Sequence, residues 1–218
     1  AEQREYLQLV HGASQRLLTL FNRLFELLDL EGYAFVPGVV DLGSFKDLVL
    51  HELTPAAQAK GLTLAGSVAP ELPQYVWADM HLLHLTVQEL VQNAVRFTEA
   101  GGVSLALSLR ARADDRVTVC IEIADTGIGI PEDRIEAIRS GLTQGDTPLT
   151  KHYGGLGVGM AKASRAIALL GGQLEIDSHP GRGTAMRIVL PLRVADLDED
   201  GGLEYVRTPG GDWAWRGQ

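Results

Sequence analysis

Between Val117 and Met160 the chain passes from a strand to a helix through two glycine clusters, an arrangement that few folds accommodate. Val117-Thr118-Val119-Cys120-Ile121-Glu122-Ile123-Ala124 alternates β-branched and other residues as a strand does, then stops at Asp125 with Gly127 and Gly129 just beyond, in DTGIGI. A carboxylate at a strand's end, beside glycines that let the backbone turn sharply and approach a ligand, is what a buried planar base would need. The second cluster, Gly154, Gly155, Gly157 and Gly159 in YGGLGVGM, leads straight into Met160-Ala161-Lys162-Ala163, a run of good helix formers. Bare amides at a helix N-terminus attract phosphate. Walker A is excluded because no GK[ST] follows either cluster, and the Rossmann fingerprint because neither reads GxGxxG after a strand.

A third element precedes both. In Gln88-Glu89-Leu90-Val91-Gln92-Asn93-Ala94-Val95-Arg96-Phe97-Thr98, together with Leu83 and Val87, helical spacing gathers Leu83, Val87, Leu90, Ala94 and Phe97 into a core stripe. Glu89, Asn93 and Arg96 fall together on a neighbouring face. Taken alone, such a trio is a solvated face, and an isolated GxG is a tight turn. In this order, however, QELVQNAVRFTEAGG, DTGIGIP, LTQGDTPLTKHYGG and GLGVGMAKA resemble the N box, G1 box, ATP lid and G2 box of sensor histidine kinases. These belong to the ATPase superfamily that also includes DNA gyrase, heat-shock chaperones and mismatch-repair ATPases. LLGGQLEIDSHPGRGTAMRIVLPL is similar to the family's closing helix and strands, so the resemblance covers roughly residues 6 to 192.

The resemblance implies ATP and Mg²⁺ as cofactors and assigns roles. Asp125 would accept the adenine amino hydrogen, Gly127 and Gly129 would admit the base, Phe97 would line its pocket and Thr184 would support that end. Asn93 would ligate Mg²⁺ through its amide oxygen, a hard ligand suited to that ion. Arg96 stands where these kinases often carry lysine, exchanging a point charge for a planar fork. Lys151 in the lid would contact the γ-phosphate, while Gly155, Gly157 and Gly159 would supply backbone amides. Glu89 occupies the place of the general base in the superfamily's hydrolases and would polarise an attacking nucleophile. The chain departs from the family where Arg139 and Leu142 replace the lid's usual phenylalanines and Leu156 replaces a G2-box threonine. Fewer aromatic anchors imply a looser lid.

The expected fold is α+β, a two-layer sandwich of the Bergerat ATP-binding type, with a mostly antiparallel sheet under one layer of helices. Val103, Leu105, Leu107 and Leu109 alternate with small polar residues and pair antiparallel with the strand ending at Asp125. Asp79 caps the N-box helix, Ser44 with Asp47 makes a capping-box-like start to an earlier helix, and Pro55 is expected to kink or shorten the latter. By the resemblance, residues 37–194 are expected to form the ATP-binding catalytic domain. Residues 1–36 carry a seam at Leu7, Val10, Ser14, Leu17, Phe21, Leu24 and Leu28, the pattern of a bundle or coiled-coil helix, then a linker around Pro37-Gly38. The seam resembles the second helix of the kinases' dimerisation and phosphotransfer hairpin, which implies a homodimer or heterodimer through this helix. His11 lacks the family's acceptor context, so the phosphorylated histidine is expected outside these residues. Residues 195–218 read as an acidic, glycine-rich tail or linker with Trp213 and Trp215 near its end.

Composition bounds the partners. With 19 basic against 28 acidic residues, net −9, no nucleic-acid surface or anionic-membrane patch is expected. No run of eighteen apolar residues occurs, and lone Cys120 suits a packing role in a reducing compartment. A cytoplasmic location follows, free or as the cytoplasmic part of a membrane-anchored sensor. The expected activity is histidine protein kinase, passing the ATP γ-phosphate to a histidine not in this chain and thence to a response regulator or receiver domain. A second reading is a degenerate kinase module that acts by pairing with another kinase, with weak or regulatory nucleotide binding.

Overall fold

Asp41 ends one element and starts the next. As the last residue of strand β1 (Gly38–Asp41) it turns its carboxylate back to accept the Ser44 amide at 2.7 Å, and so caps helix α1 (Leu42–Ala59). The cap is therefore Asp41, three residues before the start that Ser44 and Asp47 indicate. Pro55 does not shorten α1, which runs on to Ala59. Leu42, Phe45, Val49, Leu53 and Ala57 bury one continuous stripe, and this packing outweighs the hydrogen bond that proline cannot make.

The computed structural model describes residues 33–136, 138, 157–195, 204–207 and 213–216. The expectations for the N-terminal seam helix, His11, Arg139, Leu142, Lys151, Gly155 and Leu156 lie outside the described residues. Two compact units divide the chain, Ala1–Ala34 and Phe35–Gln218. In the second, β1 and α1 are followed by β2 (Thr63–Val68), β3 (Tyr75–Ala78), α2 (Met80–Phe97), β4 (Gly102–Ala113) and β5 (Arg116–Asp125). Then come α3 (Gly157–Leu169), β6 (Gln173–His179), β7 (Gly183–Val194), β8 (Glu204–Arg207) and β9 (Trp213–Arg216). Residues 132–136 are also helical.

The nine strands among the described residues join one sheet, in the order β2-β4-β5-β7-β3-β1-β8-β9 with β6 paired to β7 off this path. β7 is its keystone: β5 lines one edge throughout, while the other edge is shared by β6 and, at Arg193 and Val194, by β3. β4 and β5 pair antiparallel, as their alternation requires, and turn at Asp114, whose φ of 52° is left-handed. β2 runs parallel to β4, with Leu64 opposite Val103. The segment read as a linker at Gly38 is strand β1, antiparallel to β3, and the segment read as a tail contains the antiparallel pair β8 and β9, with Glu204 placed beside Val39.

The helices cover the face onto which Val103, Leu105, Leu107, Val119, Ile121, Ile123, Ile188 and Leu190 project, all buried. On the opposite face Arg110 pairs with Glu175 at 2.6 Å and Arg187 with Glu122 at 2.5 Å. Cys120 is a buried free thiol, and burial pushes it above its ordinary value, which suits packing and not nucleophilic chemistry. Among the described residues no helix is long and apolar enough to cross a membrane.

Candidate active site

Helix α2 is the spine of the site, and it is fixed at both ends. At its start the buried carboxylate of Asp79 accepts the Leu82 amide at 3.1 Å and the Val36 amide at 2.8 Å. At its end the ammonium of Lys60, just past α1, donates to the carbonyls of Val95 (2.9 Å), Arg96 (2.7 Å) and Thr98 (3.2 Å). Those carbonyls have no partner within the helix and carry the negative end of its dipole, so a cation there answers both demands. Leu83, Val87, Leu90 and Ala94 are buried as the helical spacing predicts, and Phe97 is half-buried under the Arg96 guanidinium, 5.3 Å from its ring centre.

The first glycine cluster docks on this C-terminal end. Ile128 donates its amide to the Phe97 carbonyl at 3.3 Å, and a Cβ on Gly127 would lie 2.5 Å from the same oxygen, so only glycine lets the turn close against the helix. Gly129, at φ 71°, would place a Cβ 2.1 Å from the His179 carbonyl. The turn is therefore clamped between α2 and the β6–β7 connection. Asp125 sits within the clamp, its Oδ1 accepting the Gly127 amide at 2.8 Å. Burial holds this carboxyl above the ordinary 3.8, while hydrogen bonds from the backbone amides of Gly127 and Thr184 pull the other way.

Thr184 lies opposite Asp125 in the β5–β7 register. Its buried hydroxyl meets that of Ser178 at 2.8 Å, and Ser178 also accepts the Ile130 amide at 2.8 Å and donates to the Gly183 carbonyl at 3.0 Å. Ser178 thus ties the DTGIGI turn to the closing strands.

Two turns of α2 before Phe97 lies a second cluster, about 12 Å away at 1.5 Å per residue. Glu89 reaches the start of α3, where a Cβ on Gly159 would lie 2.3 Å from its Oε2, and Lys162 stands 3.7 Å from its Oε1. Midway between the clusters is Asn93, whose Nδ2 is buried and, among the described residues, has no hydrogen-bond partner. An orphaned buried amide is rare and costs free energy unless a ligand engages it.

The helix, the clamped turn and the closing strands fall within residues 78–194, which match the family described as histidine kinase-, DNA gyrase B- and HSP90-like ATPases. The chain belongs to this ATPase family. It is 33% identical over 196 residues to sensor histidine kinase AruS of Pseudomonas aeruginosa, covering 89% of this chain and 20% of that protein. To the signal transduction histidine-protein kinase BarA of Escherichia coli it is 29% identical over 184 residues, 84% of this chain and 20% of BarA. The chain thus spans about a fifth of the length of these relatives. The crystal structure of full-length ShkA in complex with AMPPNP superposes with a TM-score of 0.65 at 30% identity, over 89% of this chain and 40% of ShkA. The histidine kinase AdeS of Acinetobacter baumannii shares the fold, with a TM-score of 0.61 at 17% identity over 87% of this chain and 84% of AdeS.

In this ATPase domain the structure brings together most of the residues singled out by sequence. Phe97, Asp125, Gly127, Gly129 and Thr184 surround one end, Glu89 and Gly159 meet at the other, and Gly157 opens α3. Arg96 is exposed above Phe97. Sequence reading missed Lys60, Ser178 and Lys162. Lys60 acts on residues 35 to 38 positions away, which no local pattern signals. Ser178 was hidden in an ordinary polar position of a strand, and Lys162 in a run valued only for its helix propensity.

Proposed function

We propose that this ATPase domain binds Mg-ATP along α2, as the catalytic part of a two-component sensor histidine kinase, and passes the γ-phosphate to a histidine outside the chain. The observation that carries this reading is Asn93, whose buried amide nitrogen is unsatisfied, one turn of α2 beyond Glu89 and one turn before the Phe97 end on which the Asp125 turn docks. Asp125 would take the adenine amino hydrogen, with Gly127 and Gly129 leaving room for the ring and Phe97 lining it. Thr184 supports Asp125 from the neighbouring strand. Gly159, with Gly155 and Gly157, would turn backbone amides toward the phosphates, and Lys151 and Arg96 would add cations there.

Among the described residues no three histidine, cysteine, aspartate or glutamate side chains gather as a metal cage. Mg²⁺ does not require one, because it keeps its waters and is commonly held by one or two protein oxygens together with substrate phosphates. Asn93 fits that role: its amide can present oxygen in place of nitrogen without disturbing a partner among the described residues. The ion would screen phosphate charge, and the protein's own part is to place the nucleotide and to orient the nucleophile through Glu89.

By the same reading the kinase dimerises through the N-terminal seam helix, serves a response regulator or receiver domain, and works on the cytoplasmic side of a membrane or free in the cytoplasm. The match of residues 78–194 to an ATPase family favours nucleotide chemistry over a module that acts by pairing alone.

Titration calorimetry tests the assignment. Asn93→Ala should weaken Mg-ATP binding at least about tenfold and abolish its dependence on Mg²⁺, in line with the loss of a charge-assisted contact. Equal Mg-ATP affinity in wild type and Asn93→Ala would overturn it.

A further inference from the structure

The G2-box helix contributes more than backbone amides. We infer that Lys162 is a positioning residue for Glu89, holding the carboxylate of the nucleophile-orienting residue in place from the opposite helix. The inference rests on the reading of Glu89 given above and adds a residue to it. Lys162 lies on α3 one turn beyond Gly159, so both project from one side of that helix toward α2. The two face different oxygens of one carboxylate. Nζ of Lys162 stands 3.7 Å from Oε1, and the missing side chain of Gly159 leaves room for Oε2, against which a Cβ would clash at 2.3 Å.

Exposure separates this pair from an ordinary surface ion pair. The Lys162 side chain is 14% exposed and that of Glu89 23%, whereas the partners in the Arg110–Glu175 pair are 49% and 41% exposed. A surface pair at this distance would contribute little, but here both groups are largely withdrawn from water and their side chains are already confined by packing. A carboxylate on a flexible stem must be held to within a few tenths of an ångström to orient a nucleophile. Asn93 lies one turn further along α2 from Glu89, so the restraint acts beside the place proposed for the metal and the phosphates.

The test is steady-state ADP release by the chain with Mg-ATP, water taking the γ-phosphate in place of the outside histidine, comparing wild type, Glu89→Gln, Lys162→Met, Lys162→Arg and the double variant Glu89→Gln with Lys162→Met. Lys162→Met should lower kcat about five- to tenfold while KM for ATP stays within about twofold. Lys162→Arg, which keeps the charge, should recover most of kcat. In the Glu89→Gln background, Lys162→Met should cost nothing further, because the group it positions is gone. If Glu89→Gln lowers kcat but Lys162→Met leaves it unchanged, the positioning role is overturned and the reading of Glu89 survives. A rise in KM without loss of kcat, or a full additive loss in the double variant, likewise overturns it by making Lys162 a nucleotide contact or a packing residue. Wild-type kcat in Glu89→Gln would remove the role of Glu89 itself, and the inference with it.

Discussion

In the proposed site, Asp125 would serve binding at the expense of stability. Its carboxyl is half-buried, and desolvation raises it above 3.8 despite two backbone amides. The folded protein therefore holds this proton more tightly than the unfolded chain does. The resulting stabilisation is complete below the ordinary carboxylate value and is lost as pH rises through the folded value, leaving the ionised group a burden at neutral pH. Asp125→Asn should relieve it, since the amide oxygen can still accept the Gly127 hydrogen. We expect a higher melting temperature at pH 7, a difference that shrinks toward pH 3, alongside weaker binding of ADP and ATP alike. Thermal melts at several pH values, with calorimetry for both nucleotides, check the two halves. A glycine pair after a strand made this residue readable from sequence; nothing comparable marked Ser178, which matters because three hydrogen bonds meet on it in space.

Among the helices, α2 was the most legible, while the start of α1 was misplaced by three residues. The 3.6-residue stripe and the Asp79 cap of α2 are both local properties, and both are seen in the structure. In α1 the capping carboxylate belongs to the preceding strand, which Pro37-Gly38 disguised as a linker, and the Pro55 signal was overridden by the buried stripe around it. The clamp on the last turn of α2 by Lys60 joins two helices that local patterns treat as unrelated. Lys60→Met should leave three helix-terminal carbonyls without their cation and destabilise the fold by about 1–2 kcal/mol, read from urea unfolding. Nucleotide affinity should fall with it, because Phe97 and the docked Gly127 turn are held by that same end of the helix.

The sheet as a whole is uneven in how firmly its strands are held. β4, β5 and β7 pair along their lengths, while β8 and β9 meet the rest through Val39 opposite Glu204. Native-state hydrogen exchange should report this directly: amides of β5 and β7 exchanging only on global unfolding, and those of β8 and β9 through a local opening of much lower free energy. The alternating strands β4 and β5 revealed their partnership in sequence, but the parallel neighbour of β4 and the place of β7 did not, since strand order is decided by contacts among distant segments. That order has a consequence for how the protein comes into being. A polypeptide leaves the ribosome N-terminus first, and β7, which lies between β5 on one side and β6 and β3 on the other, emerges after all three. Until it arrives, β5 has an open edge, β3 lacks its neighbour on that side, and Asp125 has no Thr184 across from it. The Asp125–Thr184 pair is therefore completed late, and the nascent chain passes through a stage in which one long edge of β5 is bare, a stage at which a chaperone would help.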